Sequence, residues 1–111
     1  MTFEEATVKA IEFRNKRDWA QFHNPKDLAI SLNLEAAELL EAFQWSGAEL
    51  DVASNKDRMV DELADVTIYC IYLADALGID LVDAVNNKIE INEERYPVDK
   101  AKGSAKKYTD L

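Results

Sequence analysis

Apolar residues return at helical spacing from the first residues onward: Phe3, Ala6/Thr7, Ala10 and Phe13 form a stripe that runs toward Trp19. Thr2-x-x-Glu5 ahead of it is a capping box and predicts the start of a first helix at Thr2. Asn24-Pro25 predicts a second start, with Asn24 as N-cap and Pro25 at the first helical position. That helix is expected to reach about Trp45, before Ser46-Gly47, and the polar segment from Ala48 to Asn55 reads as a loop. A third helix is expected from near Ser54, with Asp57 in its first turn, to a left-handed stop at Gly78. Asp80 caps a fourth, running to Tyr96 before Pro97. Residues 99–111, with Lys100, Lys102, Lys106 and Lys107 among Gly and Ser, read as a flexible tail behind one domain spanning residues 1–98.

The phase of the stripes adds more than their existence. On a wheel of the second helix, Leu28, Leu32, Leu39 and Phe43 fall within roughly 60° on one side. Glu35 falls inside that apolar stripe, Glu38 on its border, and Glu41 well away. On the third helix, Leu63, Val66, Cys70, Leu73 and Leu77 make one seam, and Ile68, Ile71 and Tyr72 cover most of the remaining circumference. A helix apolar almost all round is expected to be buried on several sides. Glu62 and Asp65 begin that stretch, flanking the face of Tyr69.

Composition sharpens the fold class. With 111 residues, three Gly and two Pro, little material is left for strands and tight turns, and the expected class is all-α, a four-helix bundle-like domain. The 48% hydrophobic content is generous for so small a core, so oligomerisation is expected to complete the fold. A net charge of −9 argues against a nucleic-acid polymer or an anionic membrane as partner, though bound cations can reverse the sign of a local site. One cysteine, no secretory leader and no apolar run near the roughly 20 residues of a membrane span lead to the expectation of a cytoplasmic protein.

The candidate chemistry lies in two carboxylate pairs, Glu35-x-x-Glu38 and Glu62-x-x-Asp65. Residues three apart share one helix face, and positions 34, 39 and 66 hold Leu, Leu and Val, so no basic neighbour one turn away is expected to relieve the repulsion. A hard divalent cation would do so. One such pair is an ordinary solvated pattern in an acidic chain; two pairs on consecutive helices, with one acid inside an apolar stripe, point to a metal site. Trp19, Phe22 and Trp45 around His23 read either as core plugging a bundle end or as a stacking box for a flat base, and composition favours core. Lys88, Asn92 and Tyr96, four residues apart with Arg95 adjacent, form either a plain polar face or a strip for phosphates. The lone His disfavours a carboxylate-bridged iron protein, and the lack of a Gly-rich phosphate loop disfavours an ATP-driven machine.

Taken together, Glu35-Ala-Ala-Glu38, Glu62-Leu-Ala-Asp65 and Lys88-Ile-Glu-Ile-Asn92-Glu-Glu-Arg95-Tyr96-Pro97 resemble the MazG-like nucleoside triphosphate pyrophosphohydrolases, the all-α NTP-PPase superfamily. The stretch Arg17-Asp-Trp-Ala-Gln-Phe-His-Asn-Pro25 and the Phe-Gln-Trp45 ending are similar to the dCTP pyrophosphatase branch. The resemblance implies Mg²⁺ bound by Glu35, Glu38, Glu62 and Asp65, with Glu35 or Glu38 as proton acceptor. It implies phosphate or sugar contacts from Lys88, Asn92 and Arg95, with Tyr96 beside them. A base pocket using Trp19, His23, Trp45 and Tyr69 also follows, reversing the composition-only preference for core. The implied reaction is hydrolysis of dCTP or a related or modified dNTP to monophosphate and pyrophosphate, in a dimer or tetramer. Two alternatives stay open: the same fold acting on dATP, dUTP or a phosphoribosyl nucleotide, and a non-catalytic helical interaction module.

Overall fold

Thr2 opens the first helix as expected: its hydroxyl accepts from the Glu5 amide at 3.1 Å, and α1 runs Phe3–Lys16. The computed structural model describes residues 1–51 and 53–111. Four long helices and one single-turn helix appear with no strand among the described residues, which bears out the all-α class. They are α1, α2 (Pro25–Glu41), α3 (Lys56–Leu77), α4 (Leu81–Arg95) and α5 (Val98–Ala101). No helix among the described residues is long and apolar enough to cross a membrane.

The chain packs as two units, Met1–Gly78 and Ile79–Leu111. In the first, α2 and α3 make the principal helix pair and α1 lies against α3. Leu28 of α2, 1% exposed, meets Ile71 and Tyr72 of α3, with Ala10, Ile11, Ile68, Tyr69 and Leu73 packed around them. Two polar ties lock α1 in place: the Tyr72 hydroxyl donates to the Ala10 carbonyl at 3.0 Å, and Arg14 Nη1 donates to Asp75 Oδ2 at 2.8 Å. Between α1 and α2 a 3-10 turn, Trp19–Phe22, follows Asp18, whose backbone is left-handed at φ 54°. Asp tolerates this region better than most residues, and the Gln21 amide donates to both the carbonyl and the carboxylate of Asp18 at 2.9 and 3.1 Å.

Several expected boundaries and faces are corrected. Helix α2 ends at Glu41, not Trp45. The carbonyls of Leu39, Leu40 and Glu41 accept from Ala42, Phe43 and Gln44, three residues on, which tightens the chain out of α geometry. Trp45 then takes a left-handed φ of 69°, ahead of Gly47. Helix α3 starts at Lys56 rather than near Ser54, after a 3-10 turn at Ala53–Asn55, and the Asn55 amide ties the loop to the Ala42 carbonyl at 3.2 Å. Val52, within the expected loop, lies outside the described residues. On α3 the deeply buried line is Ile71, Tyr72 and Ala74, whereas Leu63 and Leu77 of the expected seam are 56% and 53% exposed. From Val66 to Ala74 the helix is buried or half-buried all round, as its apolar circumference predicts, and the exposure lies toward its two ends. Leu34 and Leu40 on α2 are exposed as well.

The second unit begins where Gly78, at φ 67°, closes α3 in the expected left-handed turn. The Asp80 carboxylate accepts from the Asp83 amide at 3.1 Å and caps α4. Beyond Pro97, α5 and a 3-10 turn at Tyr108–Asp110 occupy the last stretch, where the Tyr108 ring meets Tyr96 edge-on at 5.8 Å and 83°.

Candidate functional site

The α2–α3 pairing decides where the carboxylates go. Glu35 is half-buried in the α2 stripe that also buries Leu28 and Ala42, so it faces α3, as its wheel position predicts. There it meets Glu62 and Asp65: each of the three offers a carboxylate oxygen, all lying within 4.8 Å of one another. One oxygen of Glu35 and one of Glu62 are buried without any hydrogen-bond partner. Orphaned buried acceptors are uncommon and costly. Two of them on facing helices, with a third carboxylate beside them, make the donor set that a hard divalent cation takes.

Electrostatics agrees with the geometry. Burial pushes the Glu35 carboxyl above the usual range, and Glu38, Asp65 and Glu62 push it further. Glu62 shifts the same way, first by desolvation and then by Glu38 and Asp65. Glu38 therefore lies near both, at the margin of the three-oxygen cluster, and it is exposed. The protein alone favours protons here; a cation would displace them.

The expected absence of a basic neighbour needs correction. Arg58 lies one turn before Glu62 on α3 and lowers its pKa slightly against the larger upward effects. The guanidinium bridges Glu41 of α2 at 3.3 Å instead, an exposed pair at the outer margin. Glu41 is thus engaged by Arg58 rather than gathered with the three acids.

Beside the acids runs an apolar groove of about 740 Å³ between α1 and α3, whose walls include Phe13, Trp19, His23, Asp65, Ile68 and Tyr69. A second hollow of about 360 Å³, toward α2, shares Trp19, His23 and Tyr69 as walls. Asp65 thus belongs both to the acid cluster and to the groove that holds the aromatic residues. Burial, then the carboxylates of Glu35, Asp65 and Glu38, hold the Tyr69 phenol above its usual pKa, so it remains a hydroxyl donor. His23 stands 5.0 Å from the Tyr72 ring with Nδ1 buried and unpartnered. Burial and the nearby Arg14 charge depress its pKa and favour the neutral imidazole.

Other expected site residues lie elsewhere. Trp45 is 92% exposed on the turn after α2 and is not a wall of either hollow. Lys88, Asn92, Arg95 and Tyr96 belong to the second unit, on α4 and its C-cap, with Asn92 and Tyr96 half-buried and Lys88 and Arg95 exposed. Two residues beside the site were missed from sequence: Arg14 and Arg58. Arg14, only 7% exposed, follows Ala10 by one helical turn and so continues the inward stripe, a signal its charge disguised.

The model of the MazG-like family matches residues 30–111. Mouse dCTP pyrophosphatase 1 is 41% identical over 115 residues, covering 99% of this chain and 68% of that protein. The human dCTP pyrophosphatase 1 is 39% identical over the same shares. A crystal structure of a pyrophosphatase from Archaeoglobus fulgidus superposes with a TM-score of 0.77 at 44% identity, covering 85% of this chain and 91% of that one.

Proposed function

The chain belongs to the MazG-like family, and from that premise we propose that it hydrolyses a deoxynucleoside triphosphate, dCTP or a related or modified dNTP, to the monophosphate and pyrophosphate. The observation that carries this reading is the cluster of Glu35, Glu62 and Asp65 with its two orphaned oxygens. Those three side chains, with Glu38, would hold Mg²⁺. The ion, when bound, supplies positive charge to phosphate oxygens and acidity to a water molecule.

The remaining steps fall to the chain's own groups. Glu38, exposed at the cluster's margin, accepts the proton of the attacking water as the new P–O bond forms and the α–β bridging bond breaks. Pyrophosphate leaves on the bridging oxygen. Lys88 and Arg95 offset charge on the phosphates, and Asn92 donates to phosphate or sugar. In the groove, Trp19 supplies a stacking face, while neutral His23 and the Tyr69 hydroxyl read polar edges of the base. The apolar side chains left open on α2 and α3 support a homo-oligomer, dimer or tetramer, in which they are covered. A cytoplasmic location fits a nucleotide-pool enzyme of this kind.

A panel of canonical and modified nucleoside triphosphates, incubated with Mg²⁺ and scored for monophosphate and pyrophosphate, tests the assignment. Preference for dCTP or a modified relative is the expected result. Release of orthophosphate instead, or no turnover of any nucleotide, would return the chain to the class of helical interaction modules.

A further inference from the structure

The aromatic contact in the second unit bears on the phosphate strip. Arg95 ends α4, in the last turn, where a cation complements the helix dipole. Its guanidinium carbon lies 4.8 Å from the centroid of the Tyr108 ring. Tyr108 is itself fixed edge-on against Tyr96, the C-cap residue whose amide donates to the Asn92 carbonyl at 2.8 Å. Among the described residues no carboxylate forms an ion pair with Arg95, although Glu93 and Glu94 adjoin it in sequence. An arginine paired with a carboxylate has spent its donors and its charge. One held over an aromatic ring is attracted by the ring's negative face without a carboxylate taking up its N–H donors.

We propose that Tyr108 is a positioning residue for nucleotide turnover, holding the Arg95 guanidinium in a fixed orientation with its N–H donors available to the substrate's phosphates. The proposal rests on the reading of Arg95 as a phosphate contact and extends it to a residue thirteen positions downstream. It also accounts for the folded C-terminal segment, since the 3-10 turn at Tyr108–Asp110, started by the extended Lys107, delivers the ring to α4. Without the ring, a long exposed side chain would have to be ordered on each binding event, at a cost in side-chain entropy. The effect belongs in substrate binding more than in the chemical step.

The test is steady-state kinetics of the full chain with dCTP and Mg²⁺, comparing Y108A, Y108F, R95A and the double variant R95A/Y108A. Y108A is expected to raise KM about two- to fivefold with kcat little changed, the range of an exposed cation–π contact. Y108F, which keeps the ring, should restore the wild-type KM. In the R95A background, Y108A should add nothing further. If Y108A loses the fold, Y108L keeps bulk without a π face and carries the same expectation. An unchanged KM in Y108A beside a raised KM in R95A overturns the proposal. So does an equal Y108A effect with and without Arg95. R95A kinetics identical to wild type refute the phosphate contact itself and the proposal with it, while wild-type protein that turns over no nucleotide refutes the functional reading beneath both.

Discussion

Glu35 of α2 and Glu62 of α3 face one another, each with a buried carboxylate oxygen that no protein group satisfies. Neither acid would be retained there for stability, because unpaired buried carboxylates oppose folding. Their pairing makes the metal-free protein sensitive to both pH and divalent cations. In the folded state both carboxyls titrate above their ordinary 4.5. Between that value and the raised one the folded chain holds more protons than the unfolded chain, so stability falls as pH rises through the window. The depressed His23 contributes the opposite slope below 6.5, so the carboxyl effect is read as a difference: Glu35→Gln should lose stability relative to wild type just above pH 4.5 and gain on it toward neutral pH. Thermal melts of both proteins in chelator across this range measure it; a wild-type minus Glu35→Gln difference in melting temperature that does not fall with pH would contradict it.

Magnesium should reverse the penalty. A ligand at a hundredfold excess over its Kd stabilises a native state by about 2.7 kcal/mol. A clear upward shift in melting temperature on adding Mg²⁺ to wild-type protein is expected, and it should be lost in Glu35→Gln and in Glu62→Gln. Equal shifts in all three proteins would place the ion elsewhere.

Glu38 should separate chemistry from metal retention. As an exposed acid at the margin of the cluster, it is expected to lower kcat by about 10²–10⁴-fold when changed to Gln, the range of a general base. The Mg²⁺-induced thermal shift should be reduced less than in Glu35→Gln or Glu62→Gln, because Glu38 lies outside the three-oxygen cluster. Pyrophosphate release at the wild-type rate would remove Glu38 from the proton-accepting role.

Arg14 and Asp75 test the frame on which the groove depends. Their hydrogen bond at 2.8 Å joins α1 to α3, with the arginine side chain buried and the aspartate 43% exposed. Asp75→Ala leaves a buried guanidinium unpaired and should cost about 1–3 kcal/mol, discounted for solvent reaching the carboxylate. Chemical denaturation measures the loss. Removing both partners, as Arg14→Met with Asp75→Ala, should cost less than the sum of the single changes.

Local chemistry in the sequence was a reliable guide to where most helices begin. Thr2, Asn24 and Asp80 cap as expected because a side-chain oxygen three residues before an amide is a short-range device. The inward turn of Glu35 was equally legible, since it follows from helical phase alone. What escaped depended on partners distant in the chain. Arg58 reaches Glu41 only because a loop returns α3 beside the end of α2, seventeen positions away. Arg14 is buried only because Asp75, sixty-one positions on, receives it. The early end of α2 was hidden for another reason: a tryptophan adopts the left-handed conformation that sequence reasoning reserves for glycine, and the apolar stripe through Phe43 continued past the true end.

Trp45, nearly free of the protein at 92% exposure, gives the molecule an optical reporter. The chain has only two indoles, and the other, Trp19, lies edge-on to Phe13 at 5.7 Å in the groove wall. Emission from Trp45 in the isolated chain should resemble that of indole in water. Assembly or a stacked nucleobase would shift it to the blue or quench it. A protein carrying Trp19→Phe would therefore show, in real time and without a label, when that exposed ring acquires a neighbour.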